Sequence, residues 1–169
     1  MRDVTALGSA SVLIMLTASV VFYLLLSRRA GMALFVLLTI AGGQVMSSLL
    51  KFGIDRPRPG LVPHLADVYT TSFPSGHAMM SAVTYLTLGT LLAAVQTERR
   101  MKIYVLFMAI LATALVGVSR LYLGVHWPSD VLAGWCAGAA WALVCWLVAR
   151  WLRRSESPWP APGRGPARR

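Results

Sequence analysis

The stretch Ser72-Phe-Pro-Ser-Gly-His-Ala-Met-Met-Ser-Ala-Val-Thr-Tyr-Leu-Thr-Leu-Gly-Thr-Leu-Leu-Ala-Ala-Val-Gln-Thr97 opens on a polar knot and then runs to Thr97 without an Asp, Glu, Lys or Arg. At about 1.5 Å per helical residue, the run 78–97 is long enough to cross a hydrocarbon core of about 30 Å. A segment isolated in hydrocarbon satisfies its backbone only as a helix. The run therefore reads as a membrane-spanning helix with Ser72 to His77 at its mouth.

Four further apolar runs, 7–26, 30–50, 103–118 and 131–152, read in the same way. The expected fold is all-α, a polytopic transmembrane bundle of five spans forming one domain over residues 1–154. A hydrophobic content of 57% and a mean hydropathy of +0.64 in 169 residues fit a membrane protein and exclude an ordinary soluble domain. The fourth run is short and continues through Ser119 and Arg120 into the interface. The first is longer than a signal-peptide core and lacks a basic segment with a cleavage site, so it stays as a span. Residues 155–169 are rich in Pro, Gly and Arg without an apolar period and read as a disordered basic cytoplasmic tail touching anionic headgroups.

The net charge of +10 is gathered into short clusters instead of one basic face, which argues against a nucleic-acid partner. Arg28 and Arg29 form one turn, Arg99, Arg100 and Lys102 another, and Arg150, Arg153 and Arg154 begin the tail. With alternating spans these clusters share one side, cytoplasmic by the positive-inside rule. The loops 51–73 and 120–130 then face the exterior. This arrangement also puts Met1 outside, and a further upstream span is expected. Trp127 and Trp151 flank the last span as interfacial anchors, and Gly134 with Gly138 lets another helix come close. Cys136 and Cys145 lie in apolar sequence without metal-type spacing and read as inert packing residues.

Three polar segments fall on the outer side. Lys51-Phe-Gly-Ile-Asp-Arg-Pro-Arg-Pro59 is either a snorkelling lysine before a stiff loop or a cationic clamp for phosphate, with Lys51 a point charge and Arg58 a planar fork. Ser72 to His77 is a helix cap or an anion site, since a helix start offers unpaired N–H groups and Gly76 clears the approach. In Ser119-Arg-Leu-Tyr-Leu-Gly-Val-His-Trp-Pro-Ser-Asp130, a helix beginning near Pro128 lets Asp130 fold back onto one ring nitrogen of His126. The other nitrogen is then free to attack, with Arg120 as a further cation.

The residues match, in order and spacing, three motifs of the type-2 phosphatidic acid phosphatase superfamily, the lipid phosphate phosphatases and their vanadium haloperoxidase kin. Lys51, Arg58 and Pro59 resemble the first motif, and Pro74, Ser75, Gly76 and His77 the second. Ser119, Arg120, His126 and Asp130 resemble the third. The resemblance implies His126 as a nucleophile forming a phosphohistidine, Asp130 as its orienting partner, and His77 as the proton donor to the leaving group. It implies Lys51, Arg58, Ser75, Gly76 and Arg120 as the phosphate cradle, with Pro59, Pro74 and Ser119 shaping the motifs. No metal or cofactor is implied, and the implied partners are a phosphorylated lipid and the surrounding membrane lipids. Membrane members of the family have six spans as a rule, against five here.

The expected activity is hydrolysis of a lipid phosphate or diphosphate, with polyprenyl diphosphate, phosphatidylglycerophosphate and phosphatidate as candidates. A lipid phosphotransferase shares the same site chemistry. A noncatalytic transporter or lipid-binding subunit is the competing class, but no span carries a central charge or the interruptions typical of carriers. Which lipid is bound, and whether the protein forms homo-oligomers, is not legible in the sequence.

Overall fold

A computed structural model describes residues 1–53, 56, 57, 59 and 71–155. Residues 54, 55, 58, 60–70 and 156–169 lie outside the described residues, and with them the expectations placed on Arg58 and on a disordered C-terminal segment. The described residues form six helices and no strand: α1 (Arg2–Ala6), α2 (Ala10–Leu26), α3 (Ala30–Gly53), α4 (Gly76–Val95), α5 (Arg99–Tyr122) and α6 (Pro128–Ser155). The last four are long and apolar enough to cross a membrane, and α2 is a shorter apolar helix. Large apolar side chains such as Ile14, Phe22, Leu38, Phe107, Leu132 and Leu147 are exposed on these helices, the face a bilayer would cover.

The helix limits differ from the predicted spans where side-chain chemistry intervenes. The first span, expected over 7–26, begins at Ala10 because Ser9 caps it, accepting from the Val12 N–H at 3.4 Å. The preceding break admits Gly8, where a Cβ would fall 2.4 Å from Val116 Cγ1. The fourth span, expected over 103–118, runs from Arg99 to Tyr122, and the fifth begins at Pro128 and takes in Ser155, assigned from sequence to the tail.

Helix α4 is the axis of the bundle. Its apolar window is 56% buried, against 22–28% for α3, α5 and α6. Small side chains make this central place attainable, since Ala78, Ser81, Ala82, Thr84 and Ala93 are buried along it. Helix α6 approaches most closely through Gly138, whose Cβ would lie 2.5 Å from the Met79 carbonyl, a contact open only to glycine. Two indoles tie the bundle across helices: Trp135 Nε1 donates to the Thr113 carbonyl at 3.1 Å and Trp141 Nε1 to the Thr39 carbonyl at 2.8 Å. Each satisfies the N–H of a half-buried indole while the ring packs between helices. Cys136 is exposed on α6 and Cys145 half-buried, so only the second is a packing residue.

Candidate active site

The end of α5 decides where His126 lies. Gly124 has φ 69°, the left-handed conformation that closes a helix, and its N–H donates to the Leu121 carbonyl at 2.9 Å. The chain reverses there, burying Leu123 and Val125 and delivering His126, itself 5% exposed, to the start of α6. Ser119 spends its hydroxyl on its own helix, donating to the Val116 carbonyl at 2.6 Å.

Helix α6 begins with Pro128, and Asp130 in its first turn folds back so that Oδ2 accepts the Trp127 N–H at 2.9 Å. This is the acidic half of a capping box, and it fixes the carboxylate beside His126. Asp130 is fully buried and receives two more donors: Arg56 Nη1 on Oδ1 at 2.8 Å and the Ser72 hydroxyl on Oδ2. The His126 Nδ1 to Asp130 Oδ2 separation is 3.6 Å. That is longer than the hydrogen bond expected from sequence, because Oδ2 already accepts from Ser72 and Trp127.

The loop before α4 is fastened to the same carboxylate. Ser72 N–H donates to the Arg56 carbonyl at 2.9 Å and Trp127 Nε1 to the Pro57 carbonyl at 3.1 Å. The Arg56 guanidinium, donating also to Ser129 Oγ at 2.7 Å, stands 5.5 Å from the centre of the Trp127 ring. Pro59 and Pro74 are both buried. Ser75 N–H donates to the Asp130 carbonyl at 3.0 Å, so the first turns of α4 and α6 are joined directly.

At the start of α4, first-turn N–H groups have no intrahelical acceptor and the helix dipole is positive. The Ser75 hydroxyl is buried there and has no hydrogen-bond partner among the described residues. A Cβ on Gly76 would sit 3.5 Å from Lys51 Cε, 3.8 Å from its Nζ and 3.9 Å from Ser47 Oγ. The ammonium of α3 therefore overlooks the open backbone of Gly76. His77 follows on α4, its ring edge 3.4 Å from where a Cβ on Gly8 would be. Arg120 is 5% exposed and donates through Nη1 to Thr5 Oγ1 at 3.1 Å, bringing α1 over this end of the bundle.

A cavity of about 560 Å³ opens at Lys51, Gly76 and His77 and descends between α2, α3 and α4 past Leu13, Ile14 and Leu37. Of the residues singled out from sequence, Lys51, Ser75, Gly76, His77, His126 and Asp130 thus meet at one end of the bundle, with Arg120 buried in the adjoining turn. Sequence reasoning missed Arg56, Ser72, Ser47 and Thr5. Arg56 shares its segment with Arg58 and has the same charge, so sequence gives no signal that Arg56 reaches Asp130.

The chain matches the PAP2 superfamily model over residues 32–154. It is 33% identical over 141 residues to phosphatidylglycerophosphatase B of Bacillus subtilis, covering 82% of this chain and 68% of that protein. It is 33% identical over 119 residues to undecaprenyl-diphosphatase of Sulfolobus acidocaldarius, covering 67% of this chain and about half, 52%, of that protein. In structure it resembles the transmembrane PAP2-type phosphatidylglycerolphosphate phosphatase of Bacillus subtilis, with a TM-score of 0.81, 29% identity, and coverage of 94% of this chain and 77% of that one. Aquifex aeolicus LpxE superposes with a TM-score of 0.66 at 27% identity, over 86% of this chain and 82% of that one. With a family match spanning most of its length and the helices of a multi-pass membrane protein, this chain belongs to the PAP2 superfamily.

Proposed function

We propose that this chain hydrolyses a lipid phosphate or diphosphate through a phosphohistidine on His126, at the outer face of a cytoplasmic membrane. The observation that carries the reading is the Ser75 N–H to Asp130 carbonyl bond at 3.0 Å. It joins an anion-attracting helix start, Ser75, Gly76 and His77, to the turn that holds a buried histidine beside a buried carboxylate. The curated relatives act on phosphatidylglycerophosphate and on undecaprenyl diphosphate, which are phosphorylated lipids.

In the proposed reaction, Nδ1 of His126 faces Asp130 and Nε2 attacks phosphorus. The bond between phosphorus and the lipid-side oxygen breaks, and His77 gives that oxygen its proton. A water then attacks the phosphohistidine, His77 takes the proton, and inorganic phosphate leaves as the N–P bond breaks. Asp130 holds the ring and balances the imidazolium charge. Lys51, Arg58, Arg120 and the N–H groups at Gly76 surround the transferring phosphoryl, where charge accumulates. Phosphate monoester hydrolysis asks for on the order of 20 kcal/mol of barrier lowering, of which one general acid supplies roughly 3–5 kcal/mol. Several cations and a covalent intermediate are therefore required together. In this reading the fixed cations do the work that a divalent ion does in many phosphotransferases.

The test is phosphate release from a lipid phosphate by the purified protein in detergent with EDTA present, comparing native protein with His126→Ala. The native protein is expected to release phosphate, and the variant to lose on the order of a thousandfold or more in kcat while keeping its melting temperature. Retained activity in the variant would remove the proposed nucleophile.

A further inference from the structure

The cavity below the phosphate end is apolar on nearly every wall. Helix α2 contributes Ala10, Leu13, Ile14 and Ala18, and its Thr17 hydroxyl is spent on the Leu13 carbonyl at 2.6 Å. Helix α4 contributes Met80 below His77, and the deeper part of α3 contributes Leu37, Ile40 and Ala41. Between these apolar walls and Lys51, α3 turns three polar side chains into the cavity: Gln44, Ser47 and Ser48. Ser48 donates to the Gln44 backbone carbonyl at 3.1 Å, a contact that does not involve the Gln44 carboxamide. That side chain is exposed in the cavity and has no hydrogen bond among the described residues.

A carboxamide has two N–H donors and a carbonyl acceptor, and facing hydrocarbon with none of them engaged is unfavourable. Its depth says what could engage it. Ser47 stands level with Gly76, at the phosphate end, since its Oγ is 3.9 Å from the position of a Cβ there. Gln44 is one helical turn deeper, about 4.5 Å along the axis from Ser47 and about 10 Å from Lys51. In a diacylglycerol phosphate the ester carbonyls follow the phosphate after the few bonds of the glycerol unit, and the hydrocarbon begins only beyond them. In a prenyl phosphate, hydrocarbon begins at the first carbon, and the same depth would hold no acceptor.

We propose that Gln44 is a specificity-determining residue that donates to an ester carbonyl of a diacylglycerol phosphate whose chains run on past Ile40 and Leu37, an assignment that rests on the lipid-phosphatase reading above. The polar tier selects ester-linked glycerolipids over lipids whose hydrocarbon begins at the phosphate.

The experiment compares ester-linked phosphatidate with its ether-linked analogue of the same chain length, in mixed detergent micelles, using the full chain and Gln44→Leu. The ether analogue keeps the shape and removes the carbonyl. The native protein is expected to favour the ester lipid by about five- to tenfold in kcat/KM, the value of one hydrogen bond, and in Gln44→Leu the ratio is expected to fall to about one. A purely structural role would lower both substrates together and leave the ratio where it was. Equal rates on ester and ether lipid by the native protein, or an unchanged ratio in the variant, overturn this inference and leave the proposed function standing. A native protein that releases phosphate from neither lipid nor from a prenyl diphosphate overturns both.

Discussion

Arg56 Nη1 donates to Asp130 Oδ1 at 2.8 Å across 74 residues of sequence. The contact links the loop after α3 to the first turn of α6, and the Asp130 carboxylate it grips is the one that faces His126. Arg56 therefore acts on the proposed nucleophile through Asp130, as a positioning residue. Removing it leaves a fully buried carboxylate without its cationic partner. We expect Arg56→Ala to lower kcat by about ten- to a hundredfold with KM nearly unchanged. Arg56→Lys should restore only part of the loss, because a single ammonium does not reproduce the guanidinium held by Asp130, Ser129 and the Trp127 ring. Since the Arg56 side chain is 37% exposed, the loss of stability should be about 1–2 kcal/mol, below the roughly 3–5 kcal/mol of a fully buried broken pair. Steady-state kinetics with thermal denaturation separates the two effects, and an equal rise in KM would contradict the positioning role.

Ser75 offers a different balance. Its hydroxyl is buried without a partner among the described residues, at a helix start open to an anion. A hydroxyl in that position costs about 1–3 kcal/mol unless something accepts or donates to it. Ser75→Ala should therefore hold or raise the melting temperature of the ligand-free protein while raising the KM for lipid phosphate several-fold. A melting scan with and without inorganic phosphate gives the same comparison without turnover. A variant that loses stability and keeps its KM would make Ser75 a structural cap and nothing more.

Hydropathy made the helices legible because the bilayer imposes a length and forbids unpaired backbone, so apolar runs and helices coincide within a few residues. The motif spacing brought Asp130 back beside His126, since the capping turn at Trp127 and Pro128 is a local event. The hydrogen bond expected between them is instead a 3.6 Å separation, because Ser72, a distant residue, shares Oδ2. What stayed hidden is non-local. Nothing in the run 7–26 announces that the chain must break near Gly8 to let Val116 and His77 pack against it. Nor does the Arg-Pro-Arg-Pro segment announce that Arg56 reaches Asp130. The cavity also depends on three helices meeting, and Gln44 reads in sequence as one polar residue in an apolar run.

The close approach of α6 to α4 predicts a sharp contrast between two glycines. A Cβ on Gly138 would lie 2.5 Å from the Met79 carbonyl and 2.8 Å from Ala82 Cβ, whereas one on Gly31 meets nothing within 4 Å. Backbone cannot move aside as a flexible side chain can. Gly138→Ala should cost about 1–3 kcal/mol and lower activity as the start of α6 shifts relative to Ser75. Gly31→Ala should be neutral or slightly stabilising, since alanine suits a helix better by about 0.5–1 kcal/mol. Thermal denaturation of both variants in one detergent provides the measurement, and similar melting temperatures for the two would contradict the packing described.

The orientation of the site can be checked apart from its chemistry. The basic turns at Arg28–Arg29 and at Arg99–Lys102 lie at the ends of helices remote from Lys51, His77 and His126, because the chain reverses direction at each turn. If lysines and arginines stay on the cytoplasmic side, the phosphate end faces outward. Both native cysteines, Cys136 and Cys145, are first replaced by serine so that each label reports a single position. A single cysteine at Ala66, between α3 and α4 in the sequence, should then be labelled in intact cells by a membrane-impermeant maleimide. One at Thr97, exposed in the basic turn, should be labelled only after permeabilisation. Labelling of Thr97→Cys in intact cells together with protection of Ala66→Cys would turn the bundle over, and the lipid substrate would then have to be presented from the cytoplasmic leaflet.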